Sequence, residues 1–288
     1  MAIKDSAAVI GLGLIGGSIA KALKKMGIKV MGLDSDEQTL AMAKSEGIET
    51  HCFNTQGMAG ETAIPDIFSH TGIIFLCVPV SFISSTVKLI ANHVPRGAII
   101  TDTGSVKKVI VRDVEAVLPD GVSFVGGHPM AGSERSGFGW AREDMFYGAP
   151  YILTPTPGTD AEILWTMVKL VRDLGAKPII MSPEEHDRVV AAVSHLPQII
   201  STTLVNAVAE VHPEGSVMDL AGGGWRDTTR IAGSNAVMWK DILISNKDEI
   251  LPLISAFKEQ LSVLESAIKS SDEAVIKGRF QNAKAYKK

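Results

Sequence analysis

Ala8-Val9-Ile10-Gly11-Leu12-Gly13-Leu14-Ile15-Gly16-Gly17-Ser18 is the stretch from which the rest of the chain is read. A short apolar run ends in closely spaced glycines, and a helix-like segment, Ile19 to Met26, follows. Gly11 permits a tight turn out of the strand. Gly13 lets backbone N–H groups approach a pyrophosphate, and Gly16 lets helix and sheet pack closely. Phosphate then sits at a helix N-terminus, where free N–H donors and the helix dipole favour negative charge. Gly11, Gly13, Leu14, Ile15 and Gly16 are therefore the first cofactor-binding candidates. The bland alternative is a glycine-rich hairpin, but the strand before and the helix after favour a dinucleotide site.

Working outward, Lys29 to Leu33 reads as the second strand, with Asp34 at its end. An acid about 20 residues beyond the glycines is placed to accept hydrogen bonds from ribose hydroxyls. It also repels a 2′-phosphate, and no arginine follows it in Ser35-Asp36-Glu37, so NAD is expected over NADP. The alternative is that Asp36, or Asp34 itself, only caps the helix Glu37 to Glu46.

The apolar run Ile73 to Val78 predicts a central parallel strand buried on both faces, stopped by Pro79. Val78, Pro79 and the later Thr103 fall at the carboxyl ends of strands, beside the cofactor. Further strands are expected at 98–102, 122–126, 151–154 and 177–181, separated by helices at 106–117 and 160–174. Alternating strands and helices predict an α/β fold: a Rossmann-like, doubly wound, mostly parallel sheet over residues 1–182. After Ser182-Pro183 the strand signals stop, and residues 183–288 read as an all-α domain for substrate binding and dimerisation. Leu251, Ile254, Phe257, Leu261, Leu264 and Ile268 form one apolar stripe at helical spacing, which predicts a homodimer if the domain's own core does not cover it.

Of 288 residues, 28 are Lys or Arg and 32 Asp or Glu, so the formal charge is only −4 and no basic face predicts nucleic-acid binding. Two cysteines, Cys52 and Cys77, are too few for a disulfide scaffold and fit a reducing compartment. A strand beginning almost at once leaves no room for a signal peptide, and the run Gly72 to Val80 is too short to span a bilayer. The expectation is a cytoplasmic protein without a membrane segment.

Three sequence loops follow strands in the half of the sheet where a doubly wound fold binds its ligand: Thr103-Gly104-Ser105, Gly127-His128-Pro129 and the surroundings of Pro79. His128, read as a loop residue, is the candidate to take a proton from a substrate hydroxyl as hydride leaves the same carbon. Ser105 can orient that imidazole or the hydroxyl, and can equally cap the helix that follows. Arg226 and Arg230 are candidates to pair with a carboxylate. No metal is expected, because the histidines lack ligand spacing and hydride transfer needs no Lewis acid. Glu184 and Glu185 open a helix and read as structural.

With these residues in view, the chain resembles the prephenate/arogenate dehydrogenases of tyrosine biosynthesis. The matching stretches are Gly11 to Ser18, Asp102 to Lys107, His128-Pro129-Met130-Ala131-Gly132, Glu185-His186-Asp187, Ser194-His195-Leu196-Pro197 and Arg226 to Ala232. The resemblance implies NAD-dependent oxidative decarboxylation of prephenate to 4-hydroxyphenylpyruvate, with arogenate as a second substrate giving tyrosine. It implies that His128 polarises the C4 hydroxyl, that Ser105 orients His128, and that Arg230 pairs with a substrate carboxylate. Ser194 and His195 line the pocket, Glu134 and Asp227 match acidic partners that control entry, and Trp239 matches a tryptophan near the pocket, supplied in cis or across the dimer. Many relatives carry a second histidine after Ser-His-Leu-Pro, where this chain has Gln198. A neutral glutamine there favours prephenate over arogenate. The chain stops soon after the helical domain, so tyrosine is expected to inhibit at the active site itself. Two other readings remain: a β-hydroxyacid dehydrogenase and a non-catalytic NAD sensor. The former implies an interdomain lysine, and no Lys lies between Lys177 and Lys240.

Overall fold

In the computed structural model, which describes residues 6–54, 67–132 and 135–287, eight strands form one sheet ordered β3-β2-β1-β4-β5-β6-β7-β8. The strands are β1 (Ser6–Ile10), β2 (Lys29–Asp34), β3 (Glu49–Cys52), β4 (Ile73–Leu76), β5 (Ile99–Asp102), β6 (Ser123–Pro129), β7 (Pro150–Thr154) and β8 (Lys177–Ile180). All neighbours pair in parallel except β6 and β7, which run antiparallel. Along β1, Ala7 and Val9 enter one apolar cluster while Ala8 and Ile10 enter the other, so the strand is buried on both faces. Helices α1 (Leu14–Lys25), α2 (Glu37–Ser45), α3 (Val80–Ile90), α4 (Lys108–Glu115) and α5 (Ala161–Asp173) cover those faces. The chain order reverses between β1 and β4, which opens a crevice at their carboxyl ends.

Two local expectations are corrected. The edge strand β3, with the polar sequence Glu49-Thr50-His51-Cys52, carries no apolar periodicity by which the sequence expectation could include it. His128 is not on a loop: β6 extends through Pro129, and His128 pairs with Ile152 in the antiparallel ladder. Glycines and a proline predict a break locally, but pairing with β7 overrides them.

The helical part begins at α6 (Pro183–Val190), started by Ser182, whose hydroxyl accepts the Glu185 backbone N–H at 3.1 Å. A π-helical turn, Ala191–His195, joins it without a break to α7 (Leu196–Val211). By length and hydropathy, Pro183–Val211 could cross a membrane, yet its first turns bury His186 and Asp187 against the sheet domain. Next come α8 (Gly223–Thr229), α9 (Ala236–Ser245), α10 (Lys247–Lys269) and α11 (Glu273–Tyr286). Asp241 on α9 accepts a hydrogen bond from Ser81 at the start of α3 (2.8 Å), tying the two parts together. On α10, Leu251, Phe257, Leu261 and Ile268 are exposed, while Ile254 and Leu264 are half-buried. The chain's own core therefore leaves most of the stripe uncovered.

Candidate active site

The floor of the crevice is built from backbone. Gly11 donates to Leu33 (2.7 Å), Cys77 to Ile10 (2.7 Å) and Thr103 to Leu76 (3.1 Å), which holds the ends of four strands together. Gly11 has φ +91°, and a Cβ there would stand 2.5 Å from the Cys77 carbonyl oxygen. A Cβ on Gly16 would lie 1.8 Å from the Gly11 carbonyl oxygen, so only glycine allows α1 to approach the turn. Gly13 differs: it is exposed, and a Cβ there meets nothing within 4 Å. The space it leaves adjoins the first turn of α1, Leu14, Ile15 and Gly16, which has no side-chain cap and no acid. Those N–H groups have no partner within the helix and suit an anion.

Asp34 closes the other side. Its carboxylate accepts the Leu12 N–H at 2.6 Å and the Asp36 N–H at 3.0 Å, so it sits against the glycine turn. Capping of α2 falls to Asp36, which accepts the Thr39 N–H at 2.8 Å. The open Gly13 face, the uncapped helix start and the Asp34 carboxylate fit a pyrophosphate and an unphosphorylated ribose. Val78 and Pro79 follow β4 and lead into α3, beside this turn. Cys77 is no nucleophile: burial pushes its thiol up to about 12.

Next to the crevice lies a chain of buried polar groups. His128 Nδ1 is 2.8 Å from His186 Nε2, and His186 Nδ1 is 2.7 Å from an Asp187 carboxylate oxygen. Asp187 accepts the backbone N–H groups of Lys107 (2.7 Å) and Lys108 (3.0 Å), capping α4 from 80 residues away in sequence. Ser105 does not fill that role. The backbone N-cap is Lys107, without a side-chain bond of its own, and the partner of His128 Nδ1 is His186 rather than Ser105. Asn246 Nδ2 donates to the Asp187 carbonyl at 2.9 Å and lies 3.1 Å from His195 Nδ1. The carbonyl requires a donor, which fixes the amide orientation. His195 Nδ1 then accepts and Nε2 carries the proton. That Nε2 is buried with no hydrogen bond of good geometry among the described residues, while the ring as a whole is drawn weakly to the Ser105 backbone.

Beneath His128, Lys107 forms a fully buried ion pair with Asp102 and donates to the Gly127 carbonyl at 2.8 Å. Asp102 also accepts the N–H groups of Gly104 (2.8 Å) and Gly127 (3.1 Å). The segment that follows β5 and the strand that carries His128 are thus clamped together. Burial first, then neighbouring positive or potentially positive groups including Lys107, holds His128 well below the usual imidazole range. His186 is also lowered by burial, opposed by Asp187, and His195 falls to about 4 mainly by burial. All three rings are neutral at pH 7.

On the helical side, the π turn places Ser194 half-buried and His195 buried, with the His195 ring edge-on to Trp239 at 5.9 Å between centroids. Buried Gln198 gives its Nε2 to the Ile231 carbonyl at 2.9 Å, next to Arg230. That donor is therefore engaged by the chain itself, which weakens the expectation that it reaches a substrate. Arg230 and Asp227 are both exposed, at the turn after α8 and on α8 itself. Glu134 lies outside the described residues. A cavity of about 410 Å³ sits at the amino ends of β1 to β3, lined by Lys29, Glu49, His51 and His70, opposite the crevice. The contacts of His186, Asp187 and Asn246 with the site had no signal in spacing. Only the Glu185-His186-Asp187 match pointed that way.

Two family models cover the chain: "Prephenate dehydrogenase, nucleotide-binding domain" over residues 19–180 and "Prephenate dehydrogenase, dimerization domain" over 182–281. The chain is 36% identical to the prephenate dehydrogenase of Bacillus subtilis over 293 aligned positions, spanning 99% of this chain and 76% of that protein. It is 31% identical to the cyclohexadienyl dehydrogenase of Zymomonas mobilis, spanning 98% and 95% respectively. The crystal structure of prephenate dehydrogenase from Aquifex aeolicus in complex with hydroxyphenyl propionate and NAD+ superposes with a TM-score of 0.86. The two are 32% identical over 99% of this chain and 97% of that one.

Proposed function

The chain belongs to the prephenate dehydrogenase family, and from that premise we propose how its own residues divide the work of NAD-dependent oxidative decarboxylation of prephenate to 4-hydroxyphenylpyruvate. NAD supplies a hydride acceptor when bound. The Gly13 face, the first turn of α1 at Leu14, Ile15 and Gly16, and Asp34 hold it, with Val78, Pro79 and Thr103 along the crevice. His128, neutral and buried, takes the C4 hydroxyl proton as the C4–H bond breaks. The ring carboxylate departs as CO2, and the electrons of that bond complete the aromatic ring. His128 then returns its proton to the phenolic oxygen, so protons balance. Because aromatisation and CO2 release drive the reaction, one base, one cation and correct placement suffice.

Arg230 is assigned to a substrate carboxylate. The buried Nε2–H of His195 is the donor for a second acceptor on the substrate, with Ser194, Ser105, Gln198, Asp227 and Trp239 around them, and Glu134 keeps the role of entry-controlling acid that the family resemblance implies. Arogenate enters the same site as a second substrate, and tyrosine, which shares the phenol of the product, competes there. We take residues 1–182 as the cofactor half and 183–288 as the helical half, which pairs through the uncovered α10 stripe as a homodimer. The unpaired cysteines support a cytoplasmic location.

The observation that carries this reading is His128 buried at the carboxyl end of β6, in the same sheet whose β1 ends in a turn that only glycine can form. The test is NADH formation on adding prephenate, with His128→Asn lowering kcat by about 10²–10⁴-fold and changing KM little. Activity unchanged in that variant removes His128 from the mechanism. No NADH from either prephenate or arogenate refutes the whole reading.

A further inference from the structure

We propose that His186 and Asp187 are positioning residues for the reaction, locking His128 in the tautomer that carries its proton on Nδ1 and offers the Nε2 lone pair to the substrate. The inference rests on His128 being the base. It follows from donor counting along the buried chain. An ionised carboxylate only accepts, so His186 Nδ1, 2.7 Å from Asp187, carries the hydrogen. Neutral His186 then has only a lone pair on Nε2, and that lone pair faces His128 Nδ1 at 2.8 Å. His128 Nδ1 must donate. Its other nitrogen is left unprotonated, as a general base requires.

The lock is rigid at each joint. Asp187 is fixed by two backbone N–H groups at the start of α4. The Asn246 side chain holds the Asp187 carbonyl. His186 is fully buried, and its ring meets that of His128 edge-on at 63° with centroids 5.0 Å apart. His128 itself is held in the β6–β7 ladder. Burial keeps both rings neutral, so neither Nε2 of His186 nor Nε2 of His128 is filled by a proton at pH 7. The base thus lies on the sheet while its orienting pair comes from the first helix of the other half. Docking of α6 against the sheet is what makes His128 competent.

The deciding measurement is the ¹⁵N spectrum of histidine-labelled full-length protein at pH 7.5, with the His128 signals assigned by their loss in His128→Asn. The wild type is expected to show a protonated Nδ1 and a bare Nε2 for His128. A protonated Nε2 on the assigned His128 ring overturns the proposal whatever the kinetics of the His186 variants. In kinetics with NAD and prephenate, His186→Leu is expected to lower kcat by about 10²-fold or more, the scale of losing a base or its tautomer, with KM for prephenate little changed. His186→Gln, whose side-chain oxygen can still accept from Nδ1, should recover at least about tenfold of that loss. Equal losses in both variants, or a loss confined to KM, would mark His186 as structural only. If His128→Asn is inactive while His186→Leu keeps the wild-type kcat, the positioning inference fails and the base assignment stands. If His128→Asn is fully active, the assignment itself has failed.

Discussion

Replacing Lys107 with methionine tests the buried clamp under the site. Lys107 and Asp102 are both fully buried and paired, and Lys107 also donates to the Gly127 carbonyl. Methionine keeps most of the volume but removes the countercharge, leaving Asp102 with only the N–H groups of Gly104 and Gly127. Breaking a buried pair from one side costs about 3–5 kcal/mol, because a charge stays buried without its partner. At about 2–4 °C per kcal/mol for a domain of this size, Tm should fall by roughly 10 °C. The change should also reach the chemistry. Lys107 is one of the groups that lower the His128 pKa, so the acidic limb of kcat/KM should move to higher pH in the variant. Thermal unfolding followed by fluorescence, and a pH profile for prephenate, measure the two effects. Asp102→Asn combined with Lys107→Met should recover most of the stability, since removing both charges is far less costly than stranding one. A Tm within about 2 °C of wild type in Lys107→Met would refute the buried-pair argument. An unmoved acidic limb would refute its link to His128.

Gly13→Ala should leave stability within about 0.5 kcal/mol, because the new Cβ meets nothing within 4 Å and φ is −66°. KM for NAD should nevertheless rise at least about tenfold, since the methyl fills the approach to the pyrophosphate; an unchanged KM would take Gly13 out of the cofactor site. Arg230→Ala should weaken prephenate binding by about 2–4 kcal/mol, the scale of a charge-assisted pair, and a normal KM would pass the role to Arg226. Stability should fall as pH drops below about 6.5. His128, His186 and His195 have folded-state pKa values below those of the unfolded chain, so the unfolded state binds more protons there. His195 alone, held at about 4, contributes roughly 3 kcal/mol above pH 6.5 that is lost by pH 4. Urea melts at pH 7.5, 6 and 5 check this; a midpoint independent of pH would show that these rings are not buried neutral.

The parts of the fold legible in the sequence are those set by local rules. Gly11, Gly13 and Gly16 could be assigned separate tasks because a turn, an approach and a packing contact each forbid a side chain in their own way. The apolar run at Ile73 to Leu76 could be placed at the sheet centre because burial on both faces leaves no polar alternation. Where partners lie far apart in sequence, the reading failed. Gly-Gly-His-Pro looks locally like a break, and only β7, with Ile152 standing 24 residues beyond His128, makes it a strand. Ser105 has the local signature of a helix cap, yet the side chain that caps the helix is Asp187, brought in by a helix from the other half. Glu184 and Glu185 do stand in the first turn of α6, after the Ser182 cap, as their position implies; it is Asp187 whose local sequence carries no sign that it faces the sheet. The cation side was legible only through resemblance, since nothing in the spacing of Arg226 and Arg230 chooses between them.

The π turn at Ala191–His195 has a consequence for how the two halves face each other. A π turn is an α-helix holding one residue more than its turns require. That residue shifts everything after it by about 100° around the helix axis relative to an uninterrupted α-helix. His186 lies before the shift and meets the base, while Gln198 lies after it and carries the segment with Arg230. Deleting one residue between 191 and 195 would restore a regular helix and turn the side that carries Gln198 away from His128 and His186, with the other side chains still present. The way the two halves face each other thus depends on a count of residues as well as on their kinds.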